Sequence, residues 1–461
     1  MKKIHIILLS AAMLLSLGAS AQSFRSGYFL ENYVYGYRIN PAQVNDRAFL
    51  GLAIGNIDLQ HRSGLSVSQF LYPLNGNLVT GLNNAITPET FLSKFNKSGN
   101  PISLDESINL LALGIANGQT MHTIELNVRA MGAVSLPYDL FALLKSGKAG
   151  TYNLGGLYAD VTALADLSYG FSTHINENFS VGGRLHLLAG LAGVNLTGNN
   201  SSITLSDSKI AAVGDMDVNA SGIVSFDTDE EGYLDLGEMQ VRPWPIKNFG
   251  AALDLGVQYT SDFGLEAMLS VTDLGAISWE NSIHAHADAK LDYSGGKIYL
   301  EDGQIATNFQ EILDGFAESI TAPYVGAGKR GFRMMPCNIA AGAKYHMPFW
   351  SGLSVGLLGT YHIAHSASWY DVRLGATVTP ARILSASGNI GYGTFGPTWG
   401  AALNLHLGPV NLLAGVDSYL GRLGRVDMAS LAGDIGKKLG SVPFPVNKFI
   451  ENVHLGLSFT F

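Results

Sequence analysis

Val453-His-Leu-Gly-Leu-Ser-Phe-Thr-Phe461 closes the chain, and its apolar residues fall at every second position: Val453, Leu455, Leu457, Phe459 and Phe461. His454, Gly456, Ser458 and Thr460 fill the gaps. A period of two describes a strand with one oily and one polar face. This strand stops on a terminal aromatic residue, and the opposite end of the chain carries an export signal. Together the two ends predict an outer-membrane β-barrel, whose strands turn the oily face to lipid and the polar face to a lumen.

The signal consists of a positive start (Lys2, Lys3), an apolar run from Ile4 to Leu17 and the small-residue site Ala19-Ser20-Ala21, with cleavage expected after Ala21. Position 22 is glutamine, so a lipid anchor lacks its acceptor thiol. Residues 22–46, polar and aromatic, read as a periplasmic or lumenal arm that ends beyond the breaker Asn40-Pro41-Ala42, and residues 47–461 as the barrel. Although 47% of the chain is hydrophobic, no later apolar run approaches the roughly 20 residues of a membrane helix, so alternation has to carry the membrane signal. Removal of Lys2 and Lys3 takes the net charge from −9 to −11, which argues against nucleic-acid partners. The single cysteine, Cys337, excludes an intramolecular disulfide and a cysteine-based metal site, and is expected as a small buried hydrophobe.

Arg47 to about Phe70 reads as one long bent strand ended by Tyr72-Pro73, and Thr87-Pro88-Glu89 as a capped helix start. Residues 106–117 are ambiguous. Ser103-x-x-Glu106 is a helix capping box, whereas Leu111, Leu113 and Ile115 alternate as in a strand. A strand makes a hairpin through Asn117-Gly118 with Thr123–Leu136 and keeps the strand count even, so the strand is expected. Further pairs are 156–175 with 179–193, 249–260 with 263–272, 338–346 with 352–361, 370–379 with 382–392, and 398–407 with 409–417. With the first strand and 453–461 they make about 14 strands of an all-β, antiparallel, up-and-down transmembrane barrel. Long segments (72–105, 137–155, 194–248, 273–337, 362–369, 418–452) gather at one end as extracellular loops. Tyr259, Phe263, Tyr345, Phe349, Trp350, Tyr361, Trp369, Tyr370 and Trp399 are expected in interfacial girdles, and Trp279 as an interfacial anchor.

Asn40-Pro41-Ala42, Ser270-Val-Thr-Asp-Leu-Gly-Ala-Ile-Ser-Trp279, Ala414-Gly-Val-Asp-Ser-Tyr-Leu420 and Asn452-Val-His-Leu-Gly-Leu-Ser-Phe459 resemble an uncharacterised family of Bacteroidetes-type outer-membrane proteins. That family is distantly similar to long-chain fatty-acid transporter barrels and to the shuttle barrel of the type IX secretion system. The resemblance covers nearly the whole mature chain and implies a Gram-negative outer-membrane location and transport of a small hydrophobic ligand. It carries over no catalytic or ligand residue.

Strand parity turns Glu125, Arg129, Arg184, His186, Asp254, Glu266, Lys344 and Arg373 into the lumen, with Asn127, Gln258, Asn404 and His406. A wet lumen holds such charges readily, and cross-strand pairing that stabilises the wall is the preferred reading over a substrate path or an enzyme site. No Ser-His-Asp order, GxSxG elbow or HExxH appears, so an enzyme is not expected. Asp227-Thr-Asp-Glu-Glu-Gly-Tyr-Leu-Asp-Leu-Gly-Glu238 matches a calcium loop, with Asp227, Asp229, Glu231, Asp235 and Glu238 offering carboxylates, Tyr233 its carbonyl and Gly232 the sharp turn. The flanks are β-prone and not helical, so an acidic hairpin with Gly232 at its tip is preferred over structural Ca2+. The sequence therefore points to a monomeric barrel contacting outer-membrane lipid. It binds or moves a small hydrophobic ligand or, alternatively, presents a surface or secretion partner.

Overall fold

The computed structural model describes residues 24–461 apart from 53–56, 64, 75–76, 207–208, 223, 229–233, 242–246, 295–299, 302–303, 306–329, 365–367, 382, 420–422, 428–440 and 446–448. Fourteen wall strands run up and down in chain order. They are β1 (Phe49–Leu52 and Ile57–Ser63), β2 (Asn100–Ala116), β3 (Thr120–Leu136), β4 (Tyr158–His174), β5 (Phe179–Gly198), β6 (Asn248–Thr260) and β7 (Leu265–Ser294). The circuit continues through β8 (Arg330–Met334 and Cys337–His346), β9 (Leu353–Ile363), β10 (Trp369–Ala381), β11 (Leu384–Gly393), β12 (Gly396–Leu407), β13 (Val410–Tyr419) and β14 (Phe449–Thr460). Every neighbouring pair is antiparallel, and β14 closes on β1, with Phe49 opposite Thr460 and Ile57 opposite Leu455. Closure matters physically because a lipid-facing sheet has no water to satisfy an open edge.

Parity sorts the side chains as a lipid-facing barrel requires. On β4 Leu167, Tyr169 and Phe171 are exposed while Asp166, Ser168 and Ser172 are buried; on β10 Tyr370, Val372 and Leu374 are exposed while Asp371, Arg373 and Thr377 are buried. An exposed apolar belt of this kind recurs around the wall, at Leu187, Leu255, Leu269, Leu357, Ile390, Leu403 and Leu455. Such a belt far exceeds the few hundred Å2 that a water-soluble surface tolerates, so the barrel is transmembrane.

The ambiguous segment is strand β2, because β1 and β3 pair with it on both sides and override the local capping signal. A bulge between Asn109 and Leu111 admits one extra residue, and both Leu110 and Leu111 are exposed. The first strand, by contrast, is shorter than expected. It stops at Ser63, and a turn of helix, Val67–Phe70, follows. Ser66 and Gln69 form the capping box that starts this turn, the Ser66 N–H donating to Gln69 Oε1 at 2.5 Å. Leu71–Leu74 then pairs with Asn77–Thr80.

Thr87 caps the helix Pro88–Leu92, its hydroxyl accepting from the Thr90 N–H at 3.2 Å. Backbone and Thr87 hydrogen bonds hold the Glu89 carboxyl below its usual range. Tyr72, Ile86, Phe91 and Phe95 pack on Phe141 of the helix Tyr138–Ser146, making a small apolar cap at the end where the long connections gather.

The long segments 194–248 and 273–337 are also not simply loops. Strand β7 is 30 residues long, and β5 continues to Gly198. Beyond Asn248, where β6 stops, the strand Lys209–Gly222 takes its place, pairing with β5 on one side and β7 on the other. At about 3.3 Å per residue these strands exceed what a bilayer crossing needs, so the wall projects past the apolar belt. Inside, residues 24–46 fold as an arm with two 3-10 turns, Arg25–Tyr28 and Gly36–Arg38.

Candidate functional site

The arm fills the lumen. Phe24, Phe29, Leu30, Tyr33, Tyr35, Tyr37 and Ile39 form one core with the inward residues Phe49, Ala112, Met121, Met268, Ala340, Leu358, Ala402 and Leu413. Phe24 stacks on His454, with 5.0 Å between ring centroids. Arg25 of the arm lies well inside the barrel, beside Asp371 and Asp417, and the arm descends from there to the short-turn end, where Ser172 Oγ donates to the Gln43 carbonyl and Phe461 N to the Ala48 carbonyl. Asn40-Pro41-Ala42 lies directly on the wall. A Cβ at Gly182 would sit 2.0 Å from the Pro41 carbonyl oxygen, and one at Gly256 would sit 2.2 Å from Asn40 Oδ1. Only glycine allows the arm to rest on strand backbone there, which explains why the breaker and the two glycines belong together.

Two charged clusters latch the arm. In the first, Glu125 accepts from Tyr37 Oη at 2.7 Å and from Arg38 Nε and Nη2 at 2.9 and 2.6 Å, and it also accepts from Arg184 Nη2. The network then runs around the wall. His186 Nδ1 faces Asp166 at 2.9 Å and Nε2 faces Asp254 at 3.0 Å, while Arg129 Nη1 donates to Asp166 at 3.1 Å and to Asp273 at 2.7 Å. With a carboxylate on each ring nitrogen, His186 satisfies both only as a two-proton donor. Four carboxylates thus face three guanidiniums and an imidazolium. Burial of this many charges is tolerated because each has a partner.

In the second cluster, Arg373 donates through Nε to Asp371 at 2.5 Å and through Nη1 to Asp417 at 2.7 Å and Asn389 at 2.9 Å. The Arg25 N–H donates to Asp417 Oδ2 at 3.1 Å, and its guanidinium stands 3.6 Å from Asp371 and 4.3 Å from the Trp369 ring centroid. Glu31 ties the middle of the arm to Lys344 at 3.2 Å and Ser354 at 3.0 Å, and Lys344 also lies 3.7 Å from Glu266. A cavity of about 650 Å3 lies between the arm and this part of the wall, lined among others by Tyr28, Glu31, Gln258, Glu266, Lys344 and His406.

Of the lumenal residues named from parity, Glu125, Arg129, Arg184, His186 and Asp254 share the first cluster, Lys344 and Glu266 sit beside Glu31, and Arg373 centres the second cluster. His186, Asp254 and Asp273 offer ligand atoms within 4.8 Å of one another. An ion there would have to displace the guanidinium and imidazole contacts just described, so the arrangement reads as charge pairing. The calcium-loop residues Asp229, Glu231 and Tyr233 lie outside the described residues. The flanks on either side pair as a hairpin, Val224–Thr228 with Leu234–Val241, and Asp227 opposes Asp235.

Parity alone could have found the acidic partners Asp166, Asp371 and Asp417. Asp273 could not be found that way. It follows the bulge between β6 and β7 and has a positive φ of 60°, so alternation does not place it. Two tryptophans and the cysteine correct their expectations. Trp279 and Trp369 are 1% and 3% exposed and point inward, Trp369 stacking on His362 at 5.0 Å, and Cys337 is only half-buried. Phe263, Phe349, Trp350, Tyr361 and Tyr370 do lie exposed near strand ends, while Tyr259, Tyr345 and Trp399 are half-buried.

Among solved structures, the chain is similar to the Ralstonia pickettii toluene transporter TbuX, with 9% identity, 96% of this chain and 95% of that one covered, and a TM-score of 0.41. It is similar to a Pseudomonas aeruginosa FadL homologue, with 12% identity, 96% and 99% covered, and a TM-score of 0.43. A looser likeness joins it to the translocator domain of the autotransporter NalP from Neisseria meningitidis, with 8% identity, 91% and 90% covered, and a TM-score of 0.32. No curated protein sequence matches. The barrel itself rests on its own strand pairing and parity. Residues 41–417 match the model of DUF5723, a family of unknown function, and the chain belongs to that family.

Proposed function

We propose that this protein is an outer-membrane barrel, its short turns in the periplasm and its long connections outside, that binds or admits a small hydrophobic ligand. One observation carries the ligand class. A membrane barrel of this size ordinarily lines its lumen with polar groups. Here seven inward residues, Met131, Leu164, Leu188, Ala252, Ile277, Trp279 and Met335, pack into an apolar cluster beyond the Arg129–His186 network. An apolar lining within a polar lumen suits an apolar passenger, and the arm packed on the inward face of the wall supports a plugged lumen over an open aqueous pore.

Planar-bilayer recording tests the closed state: the purified barrel is expected to give no steady ohmic current, and a large one refutes the plugged lumen. Calorimetry with an apolar probe tests the ligand class. A second reading, a barrel that presents a surface or secretion partner, draws on the tall wall formed by β5, β7 and Lys209–Gly222. Co-purification of a stoichiometric protein, with no apolar ligand bound, selects that reading.

A further inference from the structure

The apolar cluster is arranged around one ring. Trp279 is 1% exposed, and its benzo edge lies on β5 where two side chains are missing: a Cβ at Gly190 would sit 2.7 Å from Trp279 Cη2, and one at Gly193 would sit 3.2 Å from it. The Arg333 guanidinium stands 5.5 Å from the ring centroid and reaches across the lumen from β8 to Asp160 on β4, at 3.1 Å. Between these strands lie β5, β6 and β7, so the Arg333–Asp160 pair is a bar over the indole and not a contact along the wall. Below the ring, Arg129, His186 and Asp273 close the compartment with charge.

The indole N–H is the anomaly. Trp279 Nε1 is buried and finds no acceptor among the described residues. A buried tryptophan ordinarily places this donor on a partner, and an unmade bond leaves its desolvation uncompensated. Nothing in the surrounding Met, Leu, Ile and Ala side chains can serve as a strong acceptor.

We propose that the Trp279 cluster is the ligand chamber in its closed state, that the indole occupies the ligand's place on the Gly190–Gly193 floor, and that the ligand is a small apolar molecule carrying one hydrogen-bond acceptor. The proposal rests on the hydrophobic-ligand reading above and adds to it the site and the required oxygen. The ligand displaces the ring from its floor, its acceptor takes the unpaired N–H, and the Arg333–Asp160 bar holds the compartment shut over both. Selectivity between a hydrocarbon and an oxygenated compound of the same length then resides in Trp279.

Calorimetry on the full barrel held in amphipol, with methyl hexanoate and n-octane as probes, tests this. Unmodified protein is expected to prefer the ester by roughly 2- to 10-fold, the net value of one hydrogen bond. Trp279→Phe keeps a ring without the N–H and is expected to lose that preference while holding octane as before. Trp279→Ala empties the floor and is expected to bind both probes about ten-fold more tightly, since no ring has to be moved. Heat-modifiable mobility confirms that each variant is folded. If the unmodified barrel binds the ester and both variants bind it with the same affinity and preference, the chamber is wrong and the hydrophobic-ligand reading stands. Absence of binding in all three proteins overturns both.

Discussion

Glu125→Gln probes the latch between arm and wall with the smallest change of shape. The side chain is 1% exposed and serves two cations at once, Arg38 from the arm and Arg184 from β5, besides the Tyr37 hydroxyl. The amide keeps the volume but leaves two buried guanidiniums without their carboxylate. Breaking a buried ion pair from one side costs about 3–5 kcal/mol. Because Arg184 retains Asp254 at 3.8 Å, while Arg38 and Tyr37 are the groups through which the arm itself reaches Glu125, the loss is expected to fall on arm docking.

With a factor of ten for every ~1.4 kcal/mol, the undocked fraction rises roughly a hundred- to several-thousand-fold. The assay is maleimide labelling of Leu30→Cys, a position 3% exposed in the docked arm, in a Cys337→Ala background that removes the sole native thiol. Glu125→Gln is expected to speed labelling by that factor, limited at the top by the rate of a free thiol. Gly182→Ala, whose Cβ meets the Pro41 carbonyl, is expected to act in the same direction through sterics alone. Labelling of Glu125→Gln at the unmodified rate, in a barrel of normal heat-modifiable mobility, refutes the electrostatic latch.

An epitope inserted at Ala149, beyond the helix Tyr138–Ser146, is expected to be labelled on intact cells, and one at Glu177, in the β4–β5 turn, is not; the reverse pattern inverts the topology. Phe461 is 71% exposed, and its N–H closes the last strand on Ala48, so Phe461→Asp puts a charge at the interfacial end of the lipid face and is expected to lower barrel yield in the outer membrane, with a penalty of up to about 1 kcal/mol from the charge itself. Unchanged yield removes the lipid-facing assignment of this end. The acidic hairpin around Gly232 is expected to give no calcium heat in calorimetry; heat that disappears in Glu238→Gln restores the calcium loop, at an affinity near 10⁻⁴–10⁻³ M.

Much of the barrel was legible because period-two alternation repeats wherever a strand separates lipid from lumen, and because short turns such as Asn117-Gly118 and Asn176-Glu177-Asn178 fix register locally. Parity placed Glu125, Arg184, His186 and Arg373 inside for the same reason. It failed where register breaks. The bulge before Leu255 and the positive φ of Asp273 turn Ser270–Trp279 through an extra residue, which is why Trp279 looked like an interfacial anchor and is in fact buried. Trp369 misled differently: it stands at a strand end, where girdles form, but its partners Arg25 and His362 are distant in sequence or on the adjacent strand. The substitution of Lys209–Gly222 for β6 in the upper wall was invisible, since pairing partners outside a hairpin leave no local signal.

The most direct measurement is native mass spectrometry of the barrel extracted from its own membrane, with the molecules it releases identified. The expected result is a small apolar compound, bearing an oxygen acceptor, bound near one per chain, and joined in Trp279→Ala by apolar compounds that lack the acceptor. A protein partner at one per chain with no small molecule, or a strongly polar metabolite in its place, contradicts a hydrophobic-ligand barrel.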